Sequence, residues 1–110
     1  MRNSRPYKTV RGLLGSSERW CKGDEAQDKN GEEVSVTNKN AAKFCLLGAI
    51  FKVYGYGKEK KQSLLTKLAK IIDGQNYSDD VDKECIVTTF NDNDQRTHQE
   101  VLELVKKAKI

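Results

Sequence analysis

The chain has 110 residues, 36% of them hydrophobic and 33% charged, a length and composition that suit one small domain (1–110) with one modest core. This length excludes a catalytic domain joined to a separate binding domain, and no apolar run approaches the roughly 20 residues of a membrane-spanning helix. Neither a signal-peptide core nor a membrane association is expected. Three widely spaced cysteines, an odd number, favour free thiols in a reducing compartment, so we expect a cytoplasmic protein.

The net charge of +4 is unevenly distributed along the chain. The first eleven residues contain four basic residues and no acid, and we expect residues 1–6 to form a flexible basic arm. Eight lysines but only one acidic residue, Glu59, lie within residues 39–70. This asymmetry can steer an anionic partner, although a charge run is most often a solvated face.

A first helix is predicted between Tyr7 and Arg19, because apolar residues there recur at helical spacing and Pro6 suits a first helical turn. Trp20 follows this helix. We expect its ring in the core and its indole N–H bonded to a carbonyl group.

A short β-hairpin is predicted next, since Asn30-Gly31 is typical of a type I′ turn and Val34 and Val36 alternate with polar residues. The same turn matches part of a calcium-binding loop. With Gly31 at loop position six, however, positions one and twelve fall on Ala26 and Thr37, which carry no carboxylate. The calcium hypothesis is therefore rejected.

The central helix is predicted over residues 41–54, capped by Asn38 or Asn40 and ended by Gly55 and Gly57. One of its faces is a stripe of small residues that would let a neighbouring backbone approach closely: Ala41, Cys45, Gly48 and Ala49. A third, amphipathic helix is predicted over residues 58–72, stopped by Asp73-Gly74, and a polar loop over residues 75–82.

The run over residues 85–90 is rich in β-branched residues and is compatible with either a short strand or a turn of buried helix. Thr97 and Glu100 then have the spacing of a capping box and predict the start of a final helix. Its inner face is assigned to Val101, Leu102, Val105 and Ala108. The fold class is therefore mainly α, a single small helical domain of about four helices with a short β-hairpin after helix 1. The expected core residues are Trp20, Phe44, Leu47, Ile50, Leu68, Phe90, Val101 and Val105.

Few residues have the types and spacing that catalysis or metal binding requires. The cysteines lie tens of residues apart, which argues against zinc and for buried, hydrophobic cysteines. A cysteine nucleophile paired with His98 has no local signature, and an exposed surface histidine is the preferred interpretation. We assign no catalytic residue, metal ligand or cofactor.

The loop before the final helix supplies the candidate binding residues Asn91, Asp92, Arg96 and His98. Asp92 and Asp94 lie within reach of Arg96 in the sequence, and short polar side chains commonly stabilise such turns. A structural turn is the preferred interpretation. The functional alternative is a small anion or partner site formed by Arg96 and the helix start.

Four segments resemble a family of small uncharacterised proteins, a domain of unknown function found in bacteria and their phages. They are Trp20-Cys21-Lys22-Gly23, the turn over residues 28–31, Phe44-Cys45-Leu46-Leu47-Gly48-Ala49-Ile50, and Asn91-Asp92 with Arg96-Thr97 through Val101-Leu102. The corresponding family patterns are W-x-x-G, D-x-x-G, W-C-L-x-G-A and W-N-D-x-x-x-R-T-x-x-E-V, with Phe44 and Phe90 standing where the family more often has tryptophan. The resemblance implies a shared fold and a bacterial or phage origin, and it implies no activity.

Three function classes follow for this sequence. The first is a non-enzymatic module that binds or regulates a protein partner, because the chain is small and carries no catalytic signature. The second is nucleic-acid binding through the basic 39–70 segment. The third is a small enzyme that uses Asp92, Arg96 and His98 to orient an anionic group and move a proton.

Overall fold

The computed structural model describes residues 7–110, so Pro6 and the expected basic arm lie outside the described residues. Within that range the chain forms five α-helices, two short strands and two 3₁₀ turns. In chain order they are α1 (Val10–Leu13), a 3₁₀ turn (Ser17–Arg19), β1 (Ala26–Gln27), β2 (Lys43–Phe44), α2 (Leu46–Tyr54), α3 (Lys58–Asp73), a second 3₁₀ turn (Gly74–Asn76), α4 (Lys83–Asp92) and α5 (His98–Ala108). The mainly α fold class with a small hairpin is confirmed. No helix in this range is long and apolar enough to cross a lipid bilayer.

The first helix is much shorter than predicted. Thr9 caps α1 by accepting a hydrogen bond from the Gly12 N–H, but the helix ends after one turn. Arg19 folds back and its Nε donates to the Leu13 carbonyl at 2.6 Å, which satisfies a carbonyl at the helix end. A separate 3₁₀ turn then precedes Trp20, so the prediction of one helix from Tyr7 to Arg19 is wrong.

The hairpin after α1 is confirmed, with a return strand other than the one expected. Gly31 has a φ of +86°, which only glycine adopts freely, and its N–H donates to the Asp28 carbonyl at 3.0 Å. After the turn, Glu33 forms only an isolated bridge with Gln27. The regular partner of β1 is β2, antiparallel, so the Val34 to Val36 segment does not form the predicted strand.

The central helix, α2, begins at Leu46 rather than near residue 41. Residues 43–44 are drawn into the sheet, which prevents them from joining the helix. The cap is Cys45, whose Sγ accepts from the Gly48 N–H at 3.3 Å. Asn38 forms a local turn by accepting from the Asn40 N–H, so neither asparagine is the cap. The predicted end at Gly55 is confirmed by its φ of +80°.

The close backbone approach predicted at the small-residue stripe is confirmed at Gly48. A Cβ atom at this position would overlap with the carbonyl oxygen of Glu25, just before β1. Glycine therefore lets β1 lie directly against the first turns of α2.

The C-terminal half follows the predictions closely. Helix α3 has the predicted bounds to within one residue, and Gly74 ends it with a φ of +53°. Residues 85–90 belong to α4, whose cap Asp82 accepts from the Cys85 N–H at 3.1 Å, so the strand alternative is wrong. The capping box of α5 is present in full. Its buried face contains Leu104 instead of Leu102, which is half-exposed.

The core lies between α2, α3 and α5, with α4 packed on α3. Six of the eight expected core residues are buried: Phe44, Leu47, Ile50, Leu68, Val101 and Val105. Trp20 and Phe90 are only half-buried and pack against the edge of the core. The two ends of the described chain meet, since the Val10 N–H donates to the Ile110 carbonyl at 2.7 Å.

Candidate functional site

Asn91 is the most completely hydrogen-bonded polar side chain of the candidate set. It is the one buried polar residue of the described chain, with 0% of its surface exposed. Its Oδ1 accepts from the Trp20 indole N–H at 2.7 Å and from the Leu46 N–H at 3.1 Å, and its Nδ2 donates to the Cys21 carbonyl at 3.1 Å and to Asp92 Oδ1 at 2.8 Å. An amide offers two donors and two acceptor lone pairs, so all four are in use.

We call this arrangement of Trp20, Cys21, Leu46, Asn91 and Asp92 the Asn91 junction. The Leu46 N–H belongs to the first turn of α2, where no intrahelical acceptor exists. In addition to the Cys45 cap, Asn91 therefore satisfies a free N–H at the start of α2 from the end of α4, and it also holds the segment after the first 3₁₀ turn. We expected the Trp20 indole N–H to bond to a carbonyl group. This is confirmed, and the acceptor is the side-chain carbonyl oxygen of Asn91.

Asp92 and Lys22 extend the same connection toward the surface. Asp92 Oδ1 also accepts from the Gly23 N–H at 3.0 Å. Lys22 Nζ donates to the Asn93 carbonyl at 2.8 Å and to the Asp94 carbonyl at 3.3 Å. Two of the sequence segments that carry the family resemblance, residues 20–23 and 91–94, thus lie together and bind mainly each other's backbone.

Arg96 contacts Phe90 and Glu100 rather than the aspartates. Its Nε donates to the Phe90 carbonyl at 2.7 Å, and its guanidinium carbon lies 3.5 Å from the centroid of the Phe90 ring. One Nη is 3.7 Å from Glu100 Oε1. Asp92 and Asp94 were predicted to lie within reach of Arg96, but within the described residues neither aspartate forms an ion pair with it.

His98 is half-buried, so the prediction of an exposed surface histidine is wrong. Its Nε2 lies 2.6 Å from the Leu14 carbonyl oxygen, and its ring centroid is 6.0 Å from that of Trp20. A carbonyl oxygen can only accept a hydrogen bond, so Nε2 carries the hydrogen and is the donor of this bond. The imidazole joins the start of α5 to the end of α1.

The start of α5 already holds a carboxylate of its own. The Thr97 N–H donates to Glu100 Oε1 at 3.0 Å, and this bond, with the nearby Arg96 guanidinium, holds the pKa of the Glu100 carboxyl below its usual value. The anion position that the sequence suggested at this helix start is thus taken by Glu100. A role of Asn91, Asp92, Arg96 and His98 in binding stays a prediction.

Two of the three cysteines are buried, and Cys85 is exposed, contrary to the expectation of burial. Burial, with Cys45 and Asp24 nearby, raises the pKa of the Cys21 thiol to about 12. Burial raises the pKa of the Cys45 thiol to about 11. Both are protonated near neutral pH and are weak nucleophiles. Among residues 7–110, no three or more histidine, cysteine or acidic side chains converge in a way that could hold a metal ion.

An open apolar surface surrounds Phe90 and was not predicted from the sequence. Two adjoining cavities, of about 670 Å³ and about 460 Å³, share Ile72, Phe90 and Arg96 in their walls. We define the Phe90 surface as the apolar side chains of α3, α4 and α5 that line either cavity, together with Arg96. Its members are Ile71, Ile72, Ile86, Phe90, Leu104 and Arg96. Ile71 is 37% exposed, one of two large hydrophobic side chains that are exposed in the described chain. The sequence carried no clear signal for this exposure, because Ile71 stands seven residues after the buried Leu64, on the face of α3 that apolar periodicity predicts to be inward.

Comparison with known proteins gives one family. No curated protein and no solved structure matches the chain significantly. The model described as "Family of unknown function (DUF6197)" matches residues 4–109, nearly the whole chain. The chain therefore belongs to this family of unknown function.

Proposed function

We propose that this protein is a non-enzymatic protein-binding module and that the Phe90 surface is its binding face. The observation that carries the proposal is the contrast between two regions. The polar groups of the Asn91 junction are engaged inside the protein, whereas the Phe90 surface leaves aliphatic and aromatic side chains open to solvent.

The internal hydrogen bonds argue against the enzyme alternative. Proton transfer and anion binding require groups that are directed at one shared cleft. Arg96 lines the two apolar cavities, Asp92 lines a different cavity, and His98 donates to a backbone carbonyl. These three side chains stabilise the joints between helices.

The composition of the Phe90 surface supports protein binding. Arginine and aromatic residues are enriched at the centres of protein interfaces, and the Arg96 guanidinium lies 3.5 Å from the centroid of the Phe90 ring, where both residues line the two cavities. Covering exposed apolar side chains stabilises a complex by roughly 25 cal/mol per Å². Charged residues of α5 border the surface and can set the orientation of a partner: Glu100, Glu103, Lys106 and Lys107.

We place this module in the cytoplasm of a bacterial or phage-infected cell. All three cysteines are free, which supports a reducing compartment. The origin follows from the family resemblance of the sequence.

Photo-crosslinking in the bacterial host tests the binding face. A photo-crosslinking amino acid is placed at position 71, in place of Ile71, and at position 56 as the control. Tyr56 is also exposed, at 56%, but lies outside the Phe90 surface. Protein adducts from position 71 that exceed those from position 56 support the proposal, and equal or absent adducts contradict it.

Nucleic-acid binding is a second candidate function, favoured by the outer face of α3. Lys60, Lys67 and Lys70 are exposed and recur at helical spacing on that face, whereas Lys61 is paired with Glu84 at 3.1 Å. Contacts between these lysines and phosphate groups predict nucleic-acid binding in the micromolar range that weakens steeply as the salt concentration rises.

Fluorescence anisotropy with single- and double-stranded oligonucleotides at low salt tests this second candidate. A variant with Lys67→Gln and Lys70→Gln should bind more weakly and with a shallower salt slope than a variant with Lys106→Gln and Lys107→Gln. No binding at low salt, or equal losses in the two variants, would remove this candidate.

A further inference from the structure

We infer that the partner of the Phe90 surface is a second copy of this chain, with the two α5 helices packed antiparallel about a two-fold axis. This inference rests on the proposed function and names the occupant of the same surface.

The charges along α5 are ordered by sign. Glu100 and Glu103 precede Leu104, and Lys106 and Lys107 follow it. All four line the larger cavity of the Phe90 surface, so they border the same opening. Within residues 7–110, Lys106 and Lys107 form no ion pair. The only hydrogen bond of the Glu103 carboxylate in that range is accepted from Gln99 Nε2, at 3.5 Å.

A helix whose halves carry opposite charge is complementary to itself when reversed. The midpoints of Glu100 with Lys107, Glu103 with Lys106, and Glu103 with Lys107 all fall within about 1.5 Å of Leu104 along the axis, at a rise of about 1.5 Å per residue. A two-fold axis level with Leu104 therefore brings each acidic side chain opposite a lysine of the other copy. A parallel arrangement would place like charges together.

A second copy placed about this axis also covers the apolar part of the Phe90 surface. Leu104 lies at the midpoint and is already buried, whereas Ile71, Ile72 and Phe90 are at least partly exposed and supply the open apolar lining of the cavity beside α5. An isologous interface uses one patch twice, so both copies bury these side chains at once. Arg96 remains paired with Glu100, whose side chain is 47% exposed and still open to a second cation.

Charge exchange across the axis provides the test, with sedimentation velocity as the readout of mass. Wild-type protein should show a concentration-dependent dimer. Glu103→Lys and Lys107→Glu should each lower the association constant of the dimer about tenfold, because each change turns two symmetry-related attractions into repulsions. An equimolar mixture of the two variants should recover the dimer, and so should the double variant, because each arrangement restores opposite charges at positions 103 and 107.

Two control variants carry the same charge changes elsewhere. Glu18→Lys and Lys39→Glu are exposed and lie outside the Phe90 surface, and both should dimerise like wild type. Wild-type protein that stays monomeric up to about 1 mM, the range of the weakest specific complexes, would overturn the inference. Single variants that dimerise like wild type, or a mixture and double variant that stay monomeric while wild type dimerises, would overturn the antiparallel arrangement and with it the inference.

The two proposals can fail separately. If crosslinks from position 71 lead to a different protein while wild type remains monomeric, the Phe90 surface binds protein but this inference is wrong. If position 71 gives no adducts above the position 56 control and wild type is monomeric, both proposals are wrong. Adducts from position 71 with the mass of two chains support both.

Discussion

Replacing Asn91 with alanine should destabilise this protein more than almost any other polar substitution. Two buried backbone groups lose their partner, the Leu46 N–H and the Cys21 carbonyl. An unsatisfied buried group costs about 1–3 kcal/mol, so the two together cost about 2–6 kcal/mol. The half-buried Trp20 indole can turn toward water and adds little. Our central value is about 4 kcal/mol, a large part of the roughly 5–15 kcal/mol of a typical domain.

Thermal and urea unfolding followed by far-UV circular dichroism measure this loss. At about 4 °C per kcal/mol for a chain of this size, the melting temperature should fall by roughly 15 °C. Asn40→Ala is the matched control, because Asn40 is exposed and should stay within about 0.5 kcal/mol of wild type. Trp20→Phe removes only the indole donor and should cost about 1 kcal/mol. If Asn91→Ala unfolds within about 1 kcal/mol of wild type, the junction does not hold α2 as we argue.

Three further predictions concern separate features of the chain. Gly48→Ala should cost about 2 kcal/mol or more, because its Cβ would overlap with the Glu25 carbonyl, whereas Gly57→Ala meets open space and should cost only the roughly 0.5–1 kcal/mol by which alanine is a poorer cap of α3, as measured by urea unfolding. The pKa of Glu100 is lowered on folding, so its charge contributes stability above its usual pKa of 4.5, and this contribution is lost as the pH falls through the lower folded value. The melting-temperature deficit of Glu100→Gln should accordingly shrink toward acid pH, and a constant deficit would refute this. Iodoacetamide at neutral pH should alkylate only Cys85 in the native protein, and mass spectrometry showing a second labelled thiol before unfolding would contradict the burial of the other two.

Local signals in the sequence were sufficient at three helix ends that depend on residues within one turn. The capping box of Thr97 and Glu100, the end of α2 at Gly55 and the end of α3 at Gly74 were all predicted correctly. Each depends on a hydrogen bond or a backbone angle that neighbouring residues supply. The mainly α fold class follows from the same signals together with apolar periodicity.

Contacts between distant segments decided the rest. Helix α2 begins late because residues 43–44 pair with β1, and residues 85–90 are helical because α4 packs on α3. Asn91 and His98 are polar residues whose types alone suggest solvent exposure. Asn91 is buried instead because four partners, three of them from distant segments, satisfy its amide, and His98 is half-buried with its Nε2 donating a hydrogen bond to the Leu14 carbonyl. A sequence shows which groups can form such bonds, but only the tertiary structure brings donor and acceptor together, since residues some 45 to 84 positions apart must meet.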